Sequence, residues 1–440
     1  MKIYERRIGF LVSYQTLIPH GGIGQYAKSF IELMRGNNIK VDIITDKEPR
    51  KSDFTSELNT NIIYPDVSLP YTEHSATFMH DDTFCYERMA NFRNAIIKAH
   101  RTNIYDAFIC NTYETVQVAS TMQLEESIQI IAYTHLESQL VNENRNPFLV
   151  STNNMMRLQL LMPNIYIGTQ SEYNTSLIKN SYQLPIPLSE PSLLDEHHVQ
   201  RDGVLYIGRW EYDKHPEVFI NIIKQTKLPA KVLTSPNGVH KFEEALSTLG
   251  VQYEVKGGLF GEEKVKFITS SRVAVNPSYV ESYGMAFYET HIQLPTVALS
   301  DKRWTNNFDN RYFYQSTRKN IAETVSELYE QYPTAESFYQ GRLEYFRQQE
   351  NKVFDNYKKC FSSFKSKESD KSTASILQLS TFSVKEYVEK LNRKILSMDD
   401  ILPMYTNKHM FNVKYTDTNT YFSTDTDFLP EEESGLFAWS

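Results

Sequence analysis

The chain has 440 residues, too many for one ordinary core and about right for two domains of roughly 150 to 200 residues with additional segments. Hydrophobic residues make up 40% of the sequence and charged residues 23%, and no apolar run approaches the roughly 20 residues that cross a bilayer, which argues against a transmembrane segment. The net charge of -8 argues against non-specific nucleic-acid binding by the whole surface and leaves room for a local basic groove.

Much of the acidic excess lies in the last part of the chain. Residues 394–440 hold eight acidic residues against three lysines, a net -5, so residues 1–393 carry only -3. The N-terminal residues run directly into a strand-like segment and lack the apolar stretch and cleavage site of a signal peptide. We therefore expect a cytoplasmic protein.

The first part of the chain alternates short apolar runs with amphipathic helical stretches, which is the pattern of a parallel sheet covered by helices. The predicted strands are, in chain order, residues 7–14, 40–45, 61–64, 105–111, 129–134 and 164–169. The predicted helices are residues 24–34, 82–101 and 113–124. Together they predict one doubly wound, Rossmann-like domain over residues 1–185.

A proline-rich stretch, residues 184–191, interrupts this alternation, because proline lacks a backbone donor and restricts its predecessor to extended geometry. We interpret residues 186–200 as a linker between domains. After it the predicted strands are 204–208, 230–234, 252–255, 273–276 and 296–300, and the predicted helices are 216–225, 239–249, 262–269 and 285–292. A second Rossmann-like domain is therefore predicted over residues 201–335.

Two further helices are predicted, at residues 319–331 and 336–365. The second carries Val353, Phe354, Tyr357, Phe361 and Phe364 at helical spacing with lysines interleaved. Such a face suits either an anionic partner or packing against the domains, and ordinary helix patterning favours packing, so residues 336–368 are interpreted as a closing helix. Residues 369–440 are interpreted as an acidic tail that is either accessory or poorly ordered.

A glycine-rich loop, His20-Gly21-Gly22-Ile23-Gly24, lies between the first predicted strand and helix. Glycines there let backbone approach a ligand, and free N–H groups at a helix start suit a phosphate or a developing anion. Such turns also occur for purely steric reasons. The position within a strand-to-helix unit favours function.

Basic residues open the second domain in a comparable place. Arg209 follows the strand that ends at Gly208, and Lys214 lies five residues further on. An arginine fork and a lysine charge beyond a first strand are what a diphosphate needs, and they would stabilise a leaving nucleotide. The alternative is a solvated pair of basic residues on a loop.

Two glutamates, Glu281 and Glu289, stand eight positions apart with Tyr283 and Gly284 between them. Glu281 falls on the loop after a predicted strand, and Glu289 falls in the next helix. Carboxylates at these two places would bind hydroxyls of a polar ligand in one crevice. Isolated glutamates at this spacing are frequent. The pair becomes a more specific signal here because a predicted strand precedes it, a glycine turn lies within it, and another predicted strand follows it.

These residues resemble the E-x7-E signature of retaining GT-B glycosyltransferases, a group that includes bacterial sucrose, mannosyl and lipopolysaccharide glucosyl transferases. Gly208-Arg209 with Lys214 is similar to the family's Gly-Arg and downstream Lys, and residues 21–24 are similar to its N-terminal glycine loop. His135 ends a strand where that family places a histidine. The resemblance spans roughly residues 7–330 and implies the GT-B architecture, two Rossmann-like domains facing each other across a cleft.

The resemblance also implies roles for individual residues. Glu289 would bind the ribose hydroxyls of a nucleotide and Glu281 the hydroxyls of the donor sugar, with Arg209 and Lys214 on the diphosphate. His135 would touch the sugar or the reacting centre. The residues implied to line the nucleotide-sugar and phosphate side are Gly22, Gly24, Tyr283 and Gly284. The donor would be a UDP-sugar, the sugar would keep its anomeric configuration, and no metal or other cofactor is implied.

The sequence departs from the family pattern at two places. His215 and Pro216 follow Lys214 where glycine is usual, and Thr290 and His291 stand where small residues are usual. The first departure affects the shape of the loop after the first strand of the second domain, and the second affects the packing of the helix that carries Glu289.

For the acceptor, residues 132–138 and 142–146 and the stretch Tyr288-Glu-Thr-His291 resemble DNA alpha-glucosyltransferases of the T-even phage type, which modify 5-hydroxymethylcytosine in DNA. That resemblance implies double-stranded DNA with modified cytosine as a partner, with Arg145 and His20 on the acceptor side and a host cytoplasmic location. The basic rim that DNA requires would come from Arg93, Lys98, Arg101 and Arg145.

Two alternatives stay open. The acceptor could be a surface polysaccharide or a lipid-linked saccharide, or the chain could be a non-catalytic sugar-nucleotide-binding protein. A nicotinamide oxidoreductase is disfavoured, because the first turn lacks a compact G-x-G-x-x-G and the pair Glu281 and Glu289 would be unexplained.

Overall fold

The computed structural model describes residues 6–17, 22–49, 56, 58–71, 86–120, 128–134, 159, 162, 164–172, 175, 181–187, 201–211, 214–279, 281, 283–300, 302–331, 342–363, 412–416 and 419–423. Within these residues the chain forms two parallel sheets and one antiparallel hairpin. The predicted Rossmann-like fold class is confirmed.

The first sheet is built from seven parallel strands in the order β3-β2-β1-β4-β5-β6-β7. These are β1 (Arg7–Leu11), β2 (Lys40–Ile44), β3 (Ile62–Ile63), β4 (Ala107–Cys110), β5 (Gln129–Tyr133), β6 (Ile165–Thr169) and β7 (Ser181–Gln183). The helices are α1 (Gly22–Gly36), α2 (Tyr86–Thr102) and α3 (Tyr113–Ser120). Every residue of β4 and β5 is buried, because helices cover both faces of a parallel sheet.

The second sheet repeats this order with six parallel strands, β10-β9-β8-β11-β12-β13. They are β8 (Val204–Ile207), β9 (Ala230–Thr234), β10 (Tyr253–Gly257), β11 (Val273–Asn276), β12 (Thr296–Leu299) and β13 (Tyr314–Ser316). The helices are α4 (Pro216–Thr226), α5 (Val239–Ser247), α6 (Gly261–Thr269), α7 (Met285–His291) and α8 (Ile321–Glu330).

The structure differs from the predicted elements at several ends. β1 stops at Leu11, because a 3-10 helix, Tyr14–Thr16, follows it. The short edge strands β7 and β13 were not predicted, since three residues with half-exposed or polar side chains carry no clear periodicity. In the tail, β14 (Asn412–Thr416) and β15 (Asn419–Ser423) form an antiparallel pair.

Each sheet reverses its strand order once, between β1 and β4 and between β8 and β11. The loops at the carboxyl ends of the strands diverge at such a switch point and leave a crevice there, which is the usual ligand position in open α/β sheets. A ligand site is therefore expected at each of the two switch points.

The last described long helix, α9 (Arg342–Ser363), returns to the first domain. The hydroxyl oxygen of its Tyr357 lies 3.0 Å from that of Tyr26 in α1, and Gln129 Nε2 of β5 donates to the carbonyl oxygen of Cys360 at 2.8 Å. Val353 is buried in the same core. The aromatic face of this helix is thus occupied by packing; Phe364 lies outside the described residues.

One apolar cluster joins the two halves of the chain. It contains first-domain residues such as Tyr26 and Tyr133, α9 residues such as Tyr357, and second-domain residues such as Tyr283 and Phe287. Tyr133 ends β5 and Tyr283 lies on the loop after β11, so this cluster reaches the carboxyl end of a strand in each sheet. Among the described residues, no helix combines the length and the apolar character needed to cross a bilayer.

Candidate functional site

The loop after β8 is shaped by Tyr206, a residue of the strand itself. Its ring is 1% exposed, and its hydroxyl oxygen lies 3.2 Å from the carbonyl oxygen of Arg209 and 3.1 Å from that of Lys214. Gly208 is required beneath it, because a Cβ there would come within 2.7 Å of the tyrosine hydroxyl. Tyr206 therefore fixes the backbone from which both predicted basic residues project.

Lys214 and Glu281 meet across the switch point between β8 and β11. Lys214 Nζ lies 2.8 Å from Glu281 Oε2, and the two side chains are 17% and 13% exposed. A lysine and a carboxylate 67 residues apart are thus joined in a partly desolvated position, where charge interactions are stronger than at the open surface.

Arg209, on the same loop, makes a different pair. Its guanidinium Nη2 lies 2.9 Å from Glu211 Oε2, and these side chains are 57% and 46% exposed. Since an exposed pair of this kind is weakly held, Arg209 can turn toward a ligand at little cost.

The first departure from the family pattern, His215, adopts the conformation that glycine favours. Its backbone is left-handed, with φ 47° and ψ 53°, a region that is costly for a side chain with a Cβ. The buried ring contacts Glu217 through Nδ1, and Arg318 Nη2 lies 3.0 Å from Nε2. The turn that glycine makes without strain is therefore made here by a histidine that its neighbours hold.

Glu289 lies in the second turn of α7 and pairs with a lysine of α6. Lys264 Nζ lies 2.6 Å from Glu289 Oε2, and the side chains are 22% and 27% exposed. The turn into α6 has two glycines with positive φ, Gly258 in the loop and Gly261 at the first position of the helix, with the half-exposed ring of Phe260 between them. Lys264 was not predicted as a site residue.

Gly284 and Tyr283 serve the packing of α7. Gly284 precedes the helix with φ 86°, and a Cβ there would come within 3.3 Å of the ring of Trp304. Tyr283 is 6% exposed, packs against Phe308, and has its pKa raised by burial. Both residues were predicted on the nucleotide-sugar side, and both lie within the aromatic core under the loop that carries Glu281.

The second departure from the family pattern, His291, lies in that aromatic core. The ring is fully buried, stacks on Phe287 with centroids 5.0 Å apart, and its Nδ1 lies 3.0 Å from the carbonyl oxygen of the same residue. Trp304 crosses Phe287 edge-on, and its Nε1 donates to the carbonyl oxygen of Ser278 at 3.1 Å. The core thus holds both ends of the segment between β11 and α7.

In the first domain, Gly22 is the first residue of α1 and lies at the first switch point. It is exposed, and a Cβ on it would meet nothing within 4 Å. Gly24 is buried inside the first turn. His20, His135 and Arg145 lie outside the described residues.

A carboxylate that the sequence did not suggest lies beside this switch point. Asp46 follows β2, is fully buried, and accepts hydrogen bonds from the backbone N–H of Tyr14 at 3.0 Å and from the hydroxyl of Tyr71. Burial raises the pKa of the Asp46 carboxyl. An aspartate two residues after the end of a buried strand is the signal that could have indicated it.

Three of the four basic residues expected on a DNA rim lie on α2, namely Arg93, Lys98 and Arg101, and Arg101 is exposed. Arg93 is 2% exposed, and burial lowers its pKa. Lys98 Nζ lies 2.7 Å from Asp66 Oδ1 and donates to the carbonyl oxygen of Tyr64 at 3.1 Å. Arg93 is therefore not on the surface where a DNA phosphate would bind, and Arg145, the fourth expected residue, lies outside the described residues.

The carboxyl edge of the second sheet therefore gathers Arg209, Lys214 and Lys264 with Glu281 and Glu289. Cations suit a phosphorylated ligand, and carboxylates suit its hydroxyl groups. Such an edge can bind an anionic group and a polyol at the same time.

No family model matches the sequence, and no curated protein matches it at a significant level. The fold is similar to that of sucrose-phosphate synthase from Thermosynechococcus elongatus, with 14% identity, 82% of this chain and 100% of that chain covered, and a TM-score of 0.61. It is similar to TarM, with 11% identity, coverage of 82% and 99%, and a TM-score of 0.64. HepE from Anabaena, in complex with UDP and glucose, gives 12% identity, coverage of 82% and 100%, and a TM-score of 0.57. The chain therefore has the GT-B fold of these structures, with two Rossmann-like domains.

Proposed function

We propose that the chain is a glycosyltransferase that moves a sugar from a UDP-sugar to an acceptor hydroxyl. The observation that carries this proposal is the partly buried pair of Lys214 and Glu281 at the switch point of the second sheet. One of these charges suits a diphosphate and the other a sugar hydroxyl. The fold shared with HepE, whose structures contain UDP, glucose or UDP-glucose, supports the choice of donor.

The remaining charged residues of this edge would each bind a different part of the donor. Glu289, held by Lys264, would accept hydrogen bonds from the ribose hydroxyls. Arg209 would leave Glu211 and add a second cation to the diphosphate. When the bond between sugar and phosphate breaks, negative charge grows on the phosphate oxygen, and each well-placed donor stabilises it by about 3 kcal/mol.

The stereochemistry proposed is retention of the anomeric configuration. It rests on the spacing of Glu281 and Glu289, which matches the retaining signature. The acceptor would approach from the face that the leaving phosphate occupies, and that phosphate would take the proton of the acceptor hydroxyl. Lys214 and Arg209 would then hold the phosphate in place while the proton moves.

The acceptor proposed from the phage-type resemblance is 5-hydroxymethylcytosine in DNA. One observation favours the alternative, a saccharide acceptor: Arg93, one of the residues expected on the basic rim for DNA, is buried. The two acceptors differ in charge. Transfer to DNA would lose rate steeply with added salt, whereas transfer to a neutral saccharide would not.

The test is a transfer assay that combines a panel of UDP-, GDP- and ADP-sugars with hydroxymethylated DNA, oligosaccharides and lipid-linked saccharides. Product is identified by the added hexose or pentose mass. We expect transfer with a UDP-sugar. Labelled DNA with no other product would support the DNA acceptor, and labelled saccharide alone would support the alternative. Nucleotide binding without transfer to any acceptor would contradict the enzyme and leave a sugar-nucleotide-binding protein.

Lys264→Met is expected to weaken UDP binding by about fivefold, the scale of one partly exposed charged hydrogen bond. The reason is that Lys264 orients the Glu289 carboxylate toward the ribose. The measurement is calorimetric titration with UDP and with a UDP analogue that lacks both ribose hydroxyls. The loss should appear with UDP and disappear with the analogue.

Lys266→Met supplies the matched control, since Lys266 lies on the same helix and forms an exposed pair with Glu262. It should leave binding of both ligands unchanged. An equal loss for UDP and the analogue in Lys264→Met would place the lysine on another part of the nucleotide and contradict its role through Glu289.

A further inference from the structure

We infer that Glu281 competes with the donor diphosphate for Lys214, so that the site favours a nucleotide that still carries its sugar over the free nucleoside diphosphate product. This rests on the proposed function. It assigns to the pair a task in discriminating substrate from product, beyond holding the donor.

Lys214 and Glu281 form a partly desolvated pair within the chain itself. Lys214 Nζ and Glu281 Oε2 lie 2.8 Å apart, with 17% and 13% of the side chains exposed. Carboxylate and ammonium each have a partner there, and removing the partner of a desolvated charge is costly. A diphosphate that binds Lys214 must therefore share or take the partner of Glu281.

A diphosphate and a sugar differ in whether they can replace Lys214 as the partner of the Glu281 carboxylate. A diphosphate brings negative charge close to a carboxylate that has few water molecules around it, and like charges in such a place repel strongly. Sugar hydroxyls donate hydrogen bonds to a carboxylate and replace the lysine as its partner. A free nucleoside diphosphate has no such donors at this position.

The partner of Glu281 changes in the course of turnover. Before transfer, the sugar satisfies Glu281 and Lys214 is available to the diphosphate. After transfer, Glu281 loses its hydroxyl partners and again attracts Lys214 away from the phosphate. The pair thus weakens the hold on the product at the moment when the product must leave.

Arg209 and Glu211 provide an internal comparison on the same loop. Their pair has a similar distance, 2.9 Å, but the side chains are 57% and 46% exposed. Water compensates either charge there, so breaking this pair costs little. Competition between a carboxylate and the diphosphate is therefore expected at Glu281 and not at Glu211.

The test is calorimetric titration of the full chain with UDP and with UDP-glucose. Glu281→Gln keeps the shape of the side chain and removes its charge. We expect it to bind UDP about tenfold more tightly than the wild-type chain, because Lys214 no longer has to leave a carboxylate partner to reach the diphosphate, and to bind UDP-glucose more weakly. Glu211→Gln, the matched control, should change neither constant by more than about twofold.

The variant Lys214→Met/Glu281→Gln shows whether the effect passes through the lysine. In the Lys214→Met background, Glu281→Gln should no longer favour UDP by the same factor. The inference would be overturned if Glu281→Gln left the affinity for UDP unchanged or lowered it. It would also be overturned if Glu281→Gln raised the affinity for UDP by the full factor in the Lys214→Met background. If the wild-type chain binds neither ligand, nor any other nucleotide of the donor panel, the proposed function fails and this inference fails with it.

Discussion

Lys214→Met is expected to lower kcat by about 100- to 1000-fold, the effect of removing one preorganised charged donor from a developing anion. The ammonium group is the cation nearest Glu281 at the switch point, 2.8 Å from its Oε2. Charge on the leaving phosphate is greater in the transition state than in the bound donor, so the loss should fall on kcat more than on KM. The measurement is initial transfer rate against donor concentration.

Lys224→Met is the control for that variant, because Lys224 is exposed near the end of α4, on the opposite side of the sheet from the carboxyl edge. It should keep the wild-type kcat and KM. A Lys214→Met variant whose KM rises while kcat is unchanged would show uniform binding of donor and transition state, and would contradict the role given to Lys214 in stabilising the leaving group.

Trp304→Ala is expected to destabilise the second domain by about 3 to 5 kcal/mol, the usual cost of deleting a large buried aromatic side chain. Trp304 is completely buried, crosses the ring of Phe287, and lies within 3.3 Å of where a Cβ on Gly284 would be. The resulting cavity would lie directly under the turn into α7. Urea unfolding followed by intrinsic fluorescence and by far-ultraviolet circular dichroism measures the change.

Trp304→Phe separates packing from hydrogen bonding in this core. It fills much of the space but cannot donate to the carbonyl oxygen of Ser278, which Trp304 Nε1 reaches at 3.1 Å. We expect a smaller loss of about 1 to 3 kcal/mol, the cost of leaving one buried acceptor unpaired. If Trp304→Phe lost as much stability as Trp304→Ala, packing would not be the main contribution of this side chain.

Local pattern was enough to predict most of the fold. Strand runs such as residues 107–110 and 130–133 are apolar throughout because both faces of a parallel sheet are covered, so they stand out from their surroundings. The short edge strands β7 and β13 lack that signal. Glu281 and Lys214 could be proposed from the sequence because each follows a strand end, where crevices form.

The partners of those residues could not be predicted, since they depend on how distant elements pack. The sequence contains no pattern that joins Lys264 of α6 to Glu289 of α7, and the contact arises because both helices cover the same face of the second sheet. The hydrogen bonds from the Tyr206 hydroxyl to the carbonyl oxygens of Arg209 and Lys214 could not be predicted either, because they depend on how the loop folds back over the strand.

Periodicity and loop position are local properties, so the amino-acid pattern predicts two repeated units of strand and helix, the places where their strands end, and the charged residues there. Which of these charges meet depends on how the elements pack. The tertiary structure paired Lys214 with Glu281, turned Arg93 inward, and brought α9 back to Tyr26. The physical reason is that burial and ion pairing depend on surfaces supplied by segments far away in the chain, and a helix or strand pattern carries no information about which surface it will meet.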